Sequence, residues 1–269
     1  MSAETRVKTI HDIHAATIAG RKLVMLTCYD ALFARLLSPY VDILLVGDSV
    51  HQVLGGNDTT LGATLDQMIY HATAVRKGAP DAVVVVDMPF LSYQVSVPEA
   101  IRNAGRVLAE TGATAVKLEG GRAMVPVIKA LVDVGIPVMG HLGLTPQSVH
   151  QLGGYRVQGR ESAQAERLMS EAVLIEDAGV FSMVLELIPR ALAKRVTEKL
   201  AVPTIGIGAG PDCDGQVLVL HDMLGLNEGF KPKFLKTYAS MTDEVKKAAG
   251  DFAKDVREGK YPGAEHSFD

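Results

Sequence analysis

The chain has 269 residues, 48% hydrophobic and 22% charged, with a formal net charge of −4. That is a globular composition with ample length for a sizeable core. It carries no clustered Lys/Arg run to mark a nucleic-acid partner, and no stretch of about 20 apolar residues to mark a membrane span. The two cysteines, Cys28 and Cys213, form neither a metal spacing nor a disulfide framework, and are expected as buried, reduced thiols. The start, MSAETRVKTIHDIHAATIAG, is polar and lacks the apolar core of a signal peptide, so a soluble, cytoplasmic protein is expected.

In chain order, a helix over residues 7–19 comes first and is expected to close the bottom of a barrel. Short β-branched runs then recur: KLVMLTCYD, VDILLVGDS, AVVVVDMP, TAVKLEGG, IPVMGHLGL, FSMVLELIP and VPTIGIGAG, with GQVLVLHDMLGL weaker. Helical patterns separate them at 31–37, 65–77, 98–111, 124–134, 162–178 and 191–200. Thr64 and Asp66 are capping candidates for the second of these, and the third starts at a proline and stops before Gly112. A further helix is expected over 241–258, followed by the irregular YPGAEHSF.

Strands without polar alternation, interleaved with helices, imply parallel βαβ units. About eight units over this length predict an α/β fold, a (β/α)8 TIM barrel, with an open doubly wound sheet as the alternative. The barrel is favoured because a polar residue ends nearly every strand, as convergent βα loops require. No Pro- or Ser-rich linker divides the chain, so a single domain over 1–269 is expected.

Catalytic groups of such barrels gather at the C-terminal strand ends. There the chain places Asp48 and Ser49 (strand 2), Asp87 (strand 3), Lys117 and Glu119 (strand 4), His141 (strand 5) and Glu186 (strand 6). In AVKLEGG, Lys117 and Glu119 are two residues apart and so share one face of the strand. Three converging acids, Asp48, Asp87 and Glu119, suit a hard divalent cation, and Mg2+ fits best. Lys117 would then receive an anionic substrate, and Glu186, standing apart, would act as general base. Each residue also has a structural alternative. Asp48 and Asp87 could cap helices, Lys117 and Glu119 could pair with each other, Glu186 could pair with an arginine, and His141 could be a packing residue. GIGAGPDCDG resembles a phosphate loop, though its match to the dinucleotide fingerprint is weak.

LLVGDS, HLGLTPQSVHQLGGYRVQGR, TIGIGAGPDCDGQVLVLHDMLG and YPGAEHSF together resemble the ketopantoate hydroxymethyltransferase (3-methyl-2-oxobutanoate hydroxymethyltransferase) family, over nearly the whole chain. The resemblance implies a Mg2+-dependent barrel transferase of pantothenate, hence coenzyme A, biosynthesis. Such an enzyme moves a hydroxymethyl group from 5,10-methylenetetrahydrofolate to 3-methyl-2-oxobutanoate, giving 2-dehydropantoate. It further implies metal binding by Asp48, Asp87 and Glu119, and substrate contacts at Asp48, Ser49, Asp87 and Lys117 with His141 close by. Glu186 would be the base, and the assembly a homo-oligomer, a decamer of two pentameric rings. The loop after Ser49 departs from the family pattern at Val50, His51, Gln52 and Gly62. A related Mg2+-dependent 2-oxo-acid lyase, a class I aldolase using Lys117, and a non-catalytic metal-binding barrel are the competing expectations.

Overall fold

The computed structural model describes residues 7–229 and 231–268; the first six residues of the polar start lie outside them. Eight parallel strands close into a barrel in sequence order. They are β1 (Leu23–Thr27), β2 (Ile43–Val46), β3 (Val83–Asp87), β4 (Ala115–Glu119), β5 (Val138–Gly143), β6 (Ser182–Glu186), β7 (Thr204–Ile207) and β8 (Gly215–Leu218). β8 returns to β1 with Leu23 opposite Gly215 and Met25 opposite Val217, so no edge is left open.

The strands form where the sequence offers short β-branched runs. β3 is four valines and an aspartate, buried throughout. The barrel interior is filled by inward side chains including Leu23, Ile43, Val83, Ala115, Met139 and Ile205. Helix α1 (Ile10–Ile18) adds Ile13 to that cluster, only 2% exposed. Its neighbours there include Leu23, Ile43 and Val83, the first residues of their strands, so α1 closes the N-terminal end of the barrel as expected. Thr9 starts the helix, its backbone N–H donating to the Asp12 carboxylate at 2.7 Å.

Between the strands run α2 (Ala31–Leu37), α3 (Val50–Val53), α4 (Leu65–Gly78), α5 (Val97–Thr111), α6 (Val125–Asp133), α7 (Val149–Leu152), α8 (Ser162–Asp177) and α9 (Arg190–Lys199). Thr64 caps α4, accepting from the Gln67 backbone N–H at 3.2 Å; Asp66 instead sits in the first turn, where the helix dipole favours an acid. Gly112 ends α5 in the left-handed region, with φ 70°.

One expected unit differs. No helix follows β7; the glycine-rich stretch turns straight into β8, with Gly208 and Gly210 at φ 64° and 85°. The loop's polar groups are engaged by the loop itself and its neighbours. The Asp214 carboxylate accepts from Thr204 N at 2.9 Å, Gln216 Nε2 donates to the Gly210 carbonyl at 2.9 Å, and Arg190 pairs with Asp212 at 2.7 Å. The stretch makes a tight reversal, and no helix directly follows it to turn an N-terminus toward an anion.

The barrel unit ends at Val219, and the residues from Leu220 onward form a second compact unit. That unit holds α10 (Leu220–Met223) and α11 (Met241–Arg257). α11 leaves Met241, Val245, Phe252 and Val256 exposed, a spacing that puts them on one helix face. Among the described residues, no helix is long and apolar enough to cross a membrane.

Candidate active site

The barrel register decides which strand-end residues become neighbours. Asp87 lies opposite Lys117, Glu119 opposite His141, and Gly143 opposite Glu186. Lys117 Nζ consequently stands 2.9 Å from Asp87 Oδ1 and 3.1 Å from His141 Nδ1. His141 reaches both ways, with Nδ1 3.5 Å from Glu119 Oε1 and Nε2 3.3 Å from Glu186 Oε2. His141 lies within β5 rather than at its last residue.

Asp48 and Ser49 follow β2 by way of Gly47. A Cβ on Gly47 would stand 2.7 Å from Ser49 Oγ and 3.6 Å from Asp87 Oδ2, so a side chain there would displace the Ser49 hydroxyl from its place beside the acids. The Asp48 backbone N–H donates to Asp87 Oδ2 at 3.1 Å, and Ser49 Oγ shares a 2.8 Å hydrogen bond with Tyr29 Oη. All seven residues expected at the site therefore belong to one connected cluster or its immediate wall.

Several partners differ from the structural alternatives. Lys117 pairs with Asp87, not with Glu119. Glu186 meets His141 rather than an arginine. The Asp48 carboxylate caps no helix; its Oδ2 accepts from Gln147 Nε2 at 3.0 Å.

Gln147 is the residue that strand-end reasoning missed. It follows β5 in a single 3-10 turn, Pro146–Ser148. Its backbone N–H donates to Glu119 Oε2 at 3.0 Å, its amide nitrogen also reaches the Met88 carbonyl at 2.9 Å, and its amide oxygen accepts from Tyr93 Oη at 2.8 Å. One buried residue thus ties two acids together, Glu119 through its backbone N–H and Asp48 through its side-chain amide. The only sequence signal for it is its place inside HLGLTPQS, just past a strand end.

The cluster is short of positive charge. Burial, then the charges of Asp87 and Glu119, push the Asp48 carboxyl well above the usual carboxylate range. Burial raises Asp87 as well, against the opposing pull of Lys117. Burial would raise Glu119 too, but hydrogen bonds and charge from His141, with Lys117 and the Gln147 N–H, bring it below its ordinary value. Burial and Lys117 would lower His141, yet its contacts with Glu119 and Glu186 hold it up at about 9. Lys117 is raised, because the three surrounding acids outweigh its burial.

These features fit a hard divalent cation. The donors are carboxylate oxygens, and two of the acids are destabilised as anions. Asp87 Oδ1 is buried with the Lys117 ammonium, 2.9 Å away, as its charged partner. Among the described residues, no three His, Cys, Asp or Glu side chains already stand close enough to encircle an ion. Mg2+ does not require that, since it keeps several waters and takes only one or two direct carboxylates.

A pH dependence of stability follows. A histidine whose folded pKa lies above 6.5 contributes stability that is complete below pH 6.5 and lost as pH rises through about 9. Asp48 and Asp87, also raised, act in the same direction, while Glu119 is ionised in both folded and unfolded chains across this window. Chelator-treated protein should lose on the order of 2 kcal/mol between pH 6.5 and 9, a Tm fall of roughly 4–8 °C. Added Mg2+ should shrink the fall, and calorimetric scans at fixed ionic strength check both. A Tm that rises over this range would contradict the charge assignment.

The fold places the chain among (β/α)8 barrels with acids at the strand ends. It resembles phosphonopyruvate hydrolase, solved with oxalate and Mg2+, at TM-score 0.65 and 12% identity, covering 96% of this chain and 93% of that one. It also resembles 2,3-dimethylmalate lyase, a member of the PEP mutase/isocitrate lyase superfamily, at TM-score 0.63 and 20% identity, covering 97% and 89%. At these identities the likeness concerns fold alone. Sequence is far more specific: residues 7–264 match the ketopantoate hydroxymethyltransferase family. The 3-methyl-2-oxobutanoate hydroxymethyltransferase of Pelobacter propionicus is 55% identical over all of both chains, and that of Moorella thermoacetica 52% over all of both. The chain belongs to the ketopantoate hydroxymethyltransferase family.

Proposed function

We propose that this chain transfers a hydroxymethyl group from 5,10-methylenetetrahydrofolate to 3-methyl-2-oxobutanoate, giving 2-dehydropantoate in pantothenate biosynthesis. The observation that carries the reading is the continuous line Asp87–Lys117–His141–Glu186, flanked by Asp48, Ser49 and Glu119, at the C-terminal end of a barrel of this family.

Asp48 and Asp87, with Glu119 directly or through water, would hold Mg2+, which when bound supplies Lewis acidity toward the oxygens of the 2-oxo acid. Lys117, kept charged by the acids around it, binds the substrate's anionic end and stabilises negative charge developing on its oxygens. The same charge removes it as an amine nucleophile, which argues against a Schiff-base aldolase. Ser49, oriented by Tyr29, donates to a substrate oxygen. Glu186 is the most accessible of the acids, its side chain 17% exposed against 5% for Asp87, and it takes the C3 proton. His141 fixes the Glu186 carboxylate from behind. The resulting carbon nucleophile attacks the one-carbon unit of the folate.

The family resemblance also supports a homo-oligomer, a decamer, and a cytoplasmic setting. The exposed apolar face of α11 is chemistry that a subunit interface would cover. The direct test is product formation from 3-methyl-2-oxobutanoate, the methylene folate and Mg2+, followed by mass spectrometry with each component omitted in turn. The reading requires 2-dehydropantoate only in the complete mixture. Product without folate, or cleavage of a substituted malate instead, overturns it in favour of a lyase.

A further inference from the structure

The loop after Ser49 carries an arrangement that the chemistry above does not use. Gln52, on α3, donates from Nε2 to Tyr155 Oη at 3.2 Å and to the Asp58 carbonyl at 3.0 Å. The first bond spans 103 residues, joining the loop that follows β2 to the loop that follows β5. Both hydrogens of the amide nitrogen are thereby engaged.

The loop holding Gln52 is folded back on itself. The His51 carbonyl accepts from Asn57 Nδ2 at 3.0 Å and from Asn57 N at 3.3 Å. The His51 ring lies directly over Gly62, where any Cβ would overlap its Nε2 and Cε1 atoms. These contacts fix how α3 presents Gln52. On the other side, Tyr155 is 50% exposed. Burial raises its hydroxyl, the hydrogen bond with Gln52 pulls the other way, and the charges of Glu186, Asp48 and Glu119 raise it further. Its hydroxyl is held by Gln52 at the mouth of the barrel while half of the residue stays open to solvent.

We propose that Gln52 is a positioning residue for the one-carbon donor, holding Tyr155 across the barrel mouth so that its ring forms the wall on which the donor's flat heterocycle packs. This rests on the function proposed above. The keto acid's partners, Lys117, Asp87 and His141, are 3–5% exposed and lie deeper. A second reactant that brings its one-carbon unit from outside to C3 of the keto acid, beside Glu186, must lie along the rim. The rim there offers an aromatic face, which suits a planar ring system, tied in place by a neutral amide.

The test is a double-mutant cycle on the full-length, Mg2+-loaded protein, with Gln52→Ala, Tyr155→Phe and their combination. Each single change removes the same hydrogen bond and should raise KM for the methylene folate about tenfold, while KM for 3-methyl-2-oxobutanoate moves less than threefold. The double variant should be no worse than either single one, and Tyr155→Ala, which also removes the ring, should be worse than all three. Multiplying effects in the double variant would overturn the proposal, as would equal rises in both KM values, which mark a general brace. A wild-type protein that makes no product with the folate contradicts the function itself, and this is read before any variant. Calorimetric titration of tetrahydrofolate into wild type and Gln52→Ala then still decides the positioning role: about tenfold weaker binding supports it and equal binding overturns it.

Discussion

Replacing Glu186 by glutamine should lower turnover by about 10²- to 10⁴-fold, the range spanned by general-base catalysis. Glutamine keeps the volume and planarity of the side chain and loses only its capacity to accept a proton. Glu186 ends β6 and meets the cluster through His141 Nε2, at 3.3 Å. It is separate from Asp48, Asp87 and Glu119, so Mg2+ affinity should change less than threefold, as should KM for the keto acid. Steady-state kinetics with a parallel metal titration checks both. A variant that keeps more than about a tenth of wild-type turnover would remove Glu186 from the base role. Loss of metal affinity instead would move it into the cation site.

Replacing Lys117 by methionine should be the most damaging single change to both stability and activity. The ammonium is 5% exposed and stands 2.9 Å from Asp87 and 3.1 Å from His141. Methionine fills similar space without charge, leaving buried carboxylates facing one another uncompensated. Breaking a buried pair in this way costs about 3–5 kcal/mol. The loss should be largest in metal-free protein and partly recovered with Mg2+, because the cation supplies charge to the same acids. Turnover should fall by about 10²–10³-fold or more, as for loss of a donor aimed at developing negative charge. Urea unfolding with and without Mg2+ measures the first effect. Unchanged stability in both conditions would mean that Lys117 does not hold the acids together.

Much of this site is legible in the sequence because a barrel converts strand ends into neighbours. The run VVVVD reads as a buried strand delivering one aspartate, and AVKLE delivers two charges to one face by period alone. What period cannot supply is register. The pairing of Lys117 with Asp87 rather than with Glu119 depends on β3 and β4 aligning those two residues, a fact of tertiary structure. Gln147 was hidden for a different reason. It lies in a short turn and reaches Asp48 across 99 residues, and no local pattern separates such a glutamine from a solvated one. No sequence pattern marks Tyr29 or Tyr93; their hydroxyl partners, Ser49 and Gln147, reveal a place beside the site. The glycines between β7 and β8 fit both a phosphate turn and a close backbone approach, and the pattern alone does not choose; in the structure the bonds of Asp214 and Gln216 hold the stretch as a tight reversal.

The central claim is that the clustered acids, Lys117 and Glu186 remove a proton from C3 of a 2-oxo acid with the help of a divalent cation. Proton NMR of 3-methyl-2-oxobutanoate in D2O with the purified protein tests it most directly, first with Mg2+ and then with EDTA. The account predicts loss of the C3 proton signal with Mg2+ and its persistence with EDTA. Exchange that survives the chelator would contradict the cation's part and point to Lys117 as a Schiff-base nucleophile, while no exchange under either condition, even with the folate present, would contradict the reaction itself.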